Sequence, residues 1–311
     1  MRIKRNNLRK KITVLLILVL CLAGILFIKR YLSTPAQEPE PSLTLYLSKS
    51  HQTISLKMEE YIIGTVAAEM PASFHLEALK AQAVCARTYA CRRLIKNFAY
   101  PLGADLSDDI GSCQAYISRA EFYERHPQDS DQLWKKIERA VNETRGEIMF
   151  YGNEPIDALY HSTCGGRTES AREIWGTEIP YLKSVECKYC RESRHYETVQ
   201  VFSMGEINQL FGPAEDFEIK VTEKTGSGRT KELEINNIKV SGEEFRNKLV
   251  LPSRWWSFKL DDNSLIINSR GYGHGLGMCQ YGARGMADSG KDYRQILKSY
   301  YGNIEFYKLS Y

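Results

Sequence analysis

Between residues 58 and 96 the chain contains two helical patterns and a forced break between them, and no other stretch restricts the fold as tightly. In MEEYIIGTVAAEM, residues Met58, Tyr61, Ile62, Thr65 and Glu69 fall at i, i+3, i+4, i+7 and i+11, one face of a helix. Pro71 holds Met70 in an extended conformation, so that helix must stop there. HLEALKAQAVCARTYACRRLIK then resumes the period with no Gly or Pro, with Ser73 as its N-cap. Its small residues Ala83, Ala86 and Ala90 suit close helix packing.

Glu69 projects from the face that the apolar residues bury, while Glu59 and Glu60 flank it on other sides. Two readings stand side by side. A desolvated carboxyl has a raised pKa, which suits a general acid working near neutral pH. Equally, a buried Glu paired with an Arg such as Arg87 would be structural.

The remaining elements give an α+β class. Leu43, Leu45 and Leu47 alternate as in a strand. Residues 131–143 form an amphipathic helix. GEIMFYGNEPIDALYHSTCGG reads as a hairpin turning at Gly152-Asn153, with residues 160–163 ending its second strand. Residues 196–267 read as a smaller, strand-rich α+β insertion: two polar-alternating strands around a Thr-Gly-Ser-Gly turn, then a short helix capped by Ser241. The chain returns through GYGHGLGMCQYGARGMADSG to an amphipathic helix, DYRQILKSYYG.

Ahead of this 43–311 domain, a basic tail (1–11) precedes an uncharged apolar run, ITVLLILVLCLAGILFI, over 12–28. That length lies at the lower end of the roughly 17–25 residues that span a bilayer. Lys29 and Arg30 follow directly and no small-residue cleavage site is visible, so a single-pass anchor with a cytoplasmic N-terminus is expected. Residues 29–42, containing STPAQEPEPS, form a polar, Pro-rich tether. The net charge of +4 is concentrated in the tail, so it does not argue for nucleic acid.

Eight cysteines occur, one of them (Cys21) in the apolar run. The odd number remaining excludes a fully disulfide-paired domain. HSTC, CKYC and His195 form a candidate zinc set in which Cys164, Cys187 and Cys190 are the principal ligands; an extracytoplasmic position would equally favour a disulfide. Free thiols are the third reading.

GYGHGLG does not match the G-x-G-x-x-G fingerprint. Its alternating glycines allow close backbone approach, with His274 either an accessible donor or acceptor or a solvated residue of a tight turn. No G-x-S-x-G or H-E-x-x-H occurs, and Asp105, Asp108 and Asp109 read as loop acids rather than half of a carboxylate pair.

Four motifs in order, AAEMPASFHLEALKAQAVCARTYA, YHSTCGGRTESA, WGTEIPYLKSV and GYGHGLGMCQYGARGMA, resemble the stage II sporulation protein D family of endospore formers, whose wider set includes the amidase enhancers. The resemblance implies a membrane-anchored peptidoglycan lytic transglycosylase acting during engulfment, with Glu69 as its essential acid. One acid is enough for this reaction, because the sugar's own C6 hydroxyl captures the oxocarbenium-like centre and yields a 1,6-anhydro product. Gln82, His161, Ser162, His274 and Gln280 would line the glycan cleft, and no cofactor would be required; a structural zinc at the cysteines is a separate candidate, as is a disulfide. Implied partners are glycan strands, the cell membrane, a sporulation amidase and a membrane scaffold protein. The amidase-enhancer branch suggests the alternative of a non-catalytic wall-binding activator of an amidase. Some clostridial relatives resemble zinc proteins through H…GADVC…C-Q; here Pro101 and Ser107 replace the His and first Cys, only Cys113 remains, and no metal is expected there.

Overall fold

The computed structural model describes residues 38–213, 217–261 and 263–311. The predicted tail and span, with most of the tether, lie outside them. Among the described residues no helix is long and apolar enough to cross a membrane. Residues 41–309 form one unit of mixed α/β structure.

The unit is built on the two predicted helices. Strands β1 (Ser42–Leu47) and β2 (Gln52–Lys57) form a hairpin, which β3 (Leu106–Ser107) extends in parallel. Leu43 and Leu45 of β1 point into the core. Helix α1 (Met58–Glu69) follows β2 directly and ends where Pro71 requires, with Met70 extended at φ −127° and ψ 133°. Helix α2 (Leu76–Ile95) is the central strut; nearly every side chain from Ala78 to Cys91 is buried, as expected of a helix enclosed on all sides. Its N-cap is His75, not Ser73: the His75 ring accepts from the Glu77 N–H at 3.2 Å.

Around α2 pack α4 (Ser130–Glu143), β4 (Glu147–Tyr151) and β5 (Glu154–Pro155), while α3 (Arg119–Arg125) packs on α1 and α4. The hairpin turns at Gly152-Asn153 as expected, but its second strand ends at Pro155, which has no N–H to continue a ladder. The segment expected to prolong it is instead a separate strand, β6 (Tyr160–His161). A short helix α5 (Ala171–Trp175) follows.

Residues 197–270 hold β7 (Glu197–Ser203), α6 (Met204–Phe211), β8 (Ile219–Lys224), β9 (Thr230–Ile235), β10 (Ile238–Ser241), α7 (Gly242–Lys248), β11 (Trp256–Asp261) and β12 (Ser264–Arg270). Two three-stranded antiparallel sheets, β10-β9-β8 and β11-β12-β7, enclose an apolar cluster around Leu233, Phe245, Trp256 and Ile267. The first sheet has three strands where the polar alternation predicts two. The third, β10, arises from a turn at Asn236-Asn237, both left-handed at φ 48° and 62°, a pairing that suits a two-residue hairpin. Ser241 caps α7 through the Glu244 N–H, as expected.

The chain closes with β13 (Met278–Cys279), α8 (Gln280–Asp288), α9 (Tyr293–Tyr301) and β14 (Glu305–Lys308), the last pairing with β4. Both C-terminal helices pack on α2.

Candidate active site

Glu69 is the last residue of α1, and its carboxylate stands in the wall of a cavity of about 960 Å³, within the size range of small-molecule sites. Among the described lining residues it is the single carboxylate, and four arginines, Arg93, Arg125, Arg194 and Arg246, share the wall with it. Its Oε1 accepts the Ala115 N–H at 2.7 Å. The Tyr160 hydroxyl lies between Glu69 and Gln114, with Gln114 Oε1 at 2.8 Å. Gln114 in turn donates to the buried Tyr61 hydroxyl at 3.1 Å. Burial raises the Glu69 pKa, and the Ala115 N–H and the Tyr160 hydroxyl oppose that shift without cancelling it. Burial also raises the Tyr160 pKa, reinforced by the Glu69 charge, so the phenol stays protonated.

Arg87, the alternative partner of Glu69, binds Glu59 instead. Glu59, read from the sequence as flanking, is almost fully buried. The helical period misplaced it because α1 is covered on more than one face.

The two Gly/His motifs meet through a parallel pairing of β6 with β13, Tyr160 opposite Met278 and His161 opposite Cys279. All four glycines of GYGHGLG have positive φ, between 67° and 105°, so the alternation is a backbone requirement. At Gly277 a Cβ would sit 1.9 Å from the Leu159 carbonyl oxygen. This approach sets His161 and His274 with ring centroids 5.6 Å apart.

Their roles differ. His161 Nδ1–H donates to the Leu276 carbonyl at 2.9 Å, while the buried Nε2, on a ring that lines the cavity, has no partner among the described residues. Burial first, then His274, lowers its pKa to about 3, so the ring is neutral and Nε2 is an acceptor. His274 also borders the cavity, but both its nitrogens are committed to backbone. Nε2–H donates to the Tyr160 carbonyl at 3.0 Å and Nδ1 accepts the Leu276 N–H at 3.0 Å. Burial lowers its pKa to about 4. The expectation of an accessible donor or acceptor at His274 is therefore corrected: the ring braces the loop.

Gln280 opens α8 on the cavity wall, its amide donating to the Glu69 carbonyl at 3.0 Å and to Gln82 Oε1 at 3.2 Å. Gln82 itself is fully buried one layer beneath and does not reach the cavity, because α2 is enclosed all round. Its expected place in the cleft is corrected to that of a support for Gln280. Ser162 is half-buried on the cavity wall, 3.3 Å from the Thr163 hydroxyl. Glu69, His161, Ser162, His274 and Gln280 are thus brought together.

Two of the loop acids tie their loop to the first hairpin: Asp105 accepts from Thr44 and Asp108 from the Ser48 N–H. Sequence reading missed Tyr160 and Gln114, which orient the Glu69 carboxyl, and Arg229. The Arg229 guanidinium, from the turn before β9, donates to the Cys164 and Arg167 carbonyls at 2.9 Å and lies against Gly275. Buried Glu169 secures that turn by accepting from Thr225 and Ser227 at 2.7 Å each.

Cys164, Cys187 and Cys190 come together with a fourth, Cys279, all buried and with every sulfur within 4.8 Å of the others. His195 is not a member: its ring packs on Tyr272 and Nε2 accepts from Arg194 at 3.0 Å. No disulfide joins any of the seven described cysteines. Cys113 lines the cavity apart from this cluster.

The family model described as stage II sporulation protein matches residues 46–151. The chain is 38% identical over 273 residues to stage II sporulation protein D of Bacillus amyloliquefaciens, covering 86% of this chain and 79% of that one. It is 38% identical over 265 residues to stage II sporulation protein D of Bacillus subtilis strain 168, covering 84% and 77%. Against the amidase enhancer of Bacillus subtilis strain 168, identity is 27% over 296 residues, 76% of this chain and 39% of the relative.

Proposed function

Because the chain belongs to the stage II sporulation protein D family, related to the amidase enhancers, we propose that it is a lytic transglycosylase that cleaves peptidoglycan glycan strands during endospore formation. The observation that carries this reading is the half-buried carboxyl of Glu69, the single one among the described residues of the cavity wall. A hydrolase of the usual kind places two carboxyl groups across its cleft, one of them to activate water or attack the sugar. A one-carboxyl site suits a reaction in which the substrate supplies its own nucleophile.

Protonated Glu69 donates its proton to the glycosidic oxygen as the C1–O bond breaks and positive charge develops at C1. The resulting carboxylate then takes the proton of the C6 hydroxyl while O6 bonds to C1. The carboxyl is restored, the 1,6-anhydro ring is closed, and no water is consumed. Burial favours the neutral acid at the start. Tyr160 and the Ala115 N–H hold the carboxyl at a fixed angle. The Gln280 bridge to the Glu69 carbonyl ties the end of α1 to α8. His161 and Ser162 border the space a sugar would occupy, and the four arginines suit the carboxylates of the muramoyl lactyl groups or stem peptides.

In this reading residues 12–28 anchor the chain and the domain acts outside the membrane, alongside a sporulation amidase and a membrane scaffold. Purified protein should release anhydro-muropeptides from glycan strands, and Glu69→Gln should lose this by about 10²–10⁴-fold, the usual contribution of a general acid–base. The amidase-enhancer relative favours a second reading, a wall-binding activator. In that case Glu69→Gln would still stimulate a partner amidase fully and wild type would release nothing alone.

A further inference from the structure

The geometry points to a second site behind the cleft: a structural zinc ion held by Cys164, Cys187, Cys190 and Cys279. The four sulfurs come from three segments far apart in the chain and converge within 4.8 Å of one another. Zn–S bonds of about 2.3 Å in a tetrahedron place sulfurs about 3.8 Å apart, and Cys164 and Cys190 stand 3.5 Å apart. Four thiolates with no oxygen donor select zinc over magnesium, calcium or manganese. Four protein ligands also leave no open position, which makes the site structural rather than catalytic.

The surroundings are those of anionic sulfur. The Cys164 and Gly282 N–H groups point at Cys279 Sγ from 3.2 and 3.3 Å. The Tyr300 hydroxyl stands 3.3 Å from Cys187 Sγ and can donate to it. Arg229, bonded to the Cys164 carbonyl, brings a buried positive charge to a cluster that would carry a net charge of −2 once metallated. Binding releases the thiol protons to solvent and involves no oxidation.

Helix α8 is shaped to admit the C-x-x-C loop. A Cβ at Gly282 would lie 2.6 Å from Cys187 Sγ and 2.0 Å from the Tyr300 hydroxyl, and one at Gly285 would lie 2.5 Å from the Tyr189 carbonyl. The ion would pin two segments that build the cleft. Cys164 follows His161 by three residues, and Cys279 immediately precedes Gln280. None of the four cysteines lines the cavity, so the site is separate from the sugar chemistry.

The test is elemental analysis of the full chain, solubilised and purified anaerobically with reductant, followed by exchange of the metal for cobalt(II). One zinc per chain is expected, with intense thiolate-to-cobalt charge-transfer absorption and tetrahedral d–d bands after exchange. Cys190→Ser should lose stoichiometric zinc and Cys113→Ser should keep it. The wild-type cobalt spectrum gives the ligand set even where Cys190→Ser does not fold. Folded wild type without metal overturns the proposal, whether its thiols react freely or its intact mass is lower by two hydrogens per disulfide. A cobalt spectrum of oxygen and nitrogen ligation overturns it as well.

Discussion

Arg87 closes on Glu59, its Nε 2.9 Å and its Nη2 2.6 Å from the two carboxylate oxygens, with both side chains buried. Further guanidinium contacts go to the Glu147 and Val141 carbonyls, and the Gly146 N–H also donates to Glu59. The domain's buried ion pair is thus made by the acid at the start of α1, and the acid at its end is left to the cavity. Removing the cation alone leaves a charge in the core. Arg87→Met should cost about 3–5 kcal/mol in urea unfolding, and Glu59→Met with Arg87→Met should recover most of that loss. A single variant as stable as wild type would contradict the pairing.

Glu69 has the opposite energetics. Its pKa in the folded chain is raised above the ordinary 4.5, so the neutral form is the one that folding favours. That contribution is complete below pH 4.5 and is lost as pH rises through the raised value. Glu69→Gln should therefore melt above wild type at pH 7, and the gap should close toward pH 4. The same titration should make the cleavage rate fall as pH rises through the Glu69 pKa. Equal melting temperatures at pH 7 and a flat rate profile would remove the argument for a desolvated acid.

His274 carries a pKa lowered to about 4 by burial, against an ordinary 6.5. Above pH 6.5 its contribution to stability is intact. As pH falls below 6.5 the unfolded chain takes up the proton first, and stability is lost down to about pH 4. Urea unfolding of Glu69→Gln, which lacks the opposing carboxyl, should show lower stability at pH 5 than at pH 7. The drop should shrink when His274→Asn is added.

Gly277 and Gly103 share a left-handed backbone, φ 67° and 71°, but only Gly277 faces an obstacle, the Leu159 carbonyl. Gly103→Ala should cost the conformational term of about 1–2 kcal/mol, and Gly277→Ala clearly more, with loss of the β6–β13 pairing. Thermal melting of the two variants measures the difference; equal losses would show that close approach does not constrain the loop.

The helix break at Pro71, the glycine alternation and the place of Glu69 on an inward face were legible because each is a local rule acting over a few residues. Gln82 was placed in the cleft by the resemblance alone; periodicity offered no check, because it assigns faces only to a helix with a dry and a wet side, and α2 has no wet side. Cys279 escaped the ligand set because it lies 115 residues from Cys164, joined only by a two-residue parallel pairing that no local pattern announces. Tyr160 and Gln114 escaped for the same reason. The Asn236-Asn237 turn, by contrast, was a readable signal for β10.

The central claim is that one carboxyl suffices because the substrate supplies the nucleophile. Digestion of glycan strands in H₂¹⁸O, with the products resolved by mass spectrometry, tests it most directly. The account predicts 1,6-anhydro ends that carry no ¹⁸O from wild type, and no such ends from Glu69→Gln. New reducing ends labelled with ¹⁸O would show that water is the nucleophile and would contradict it.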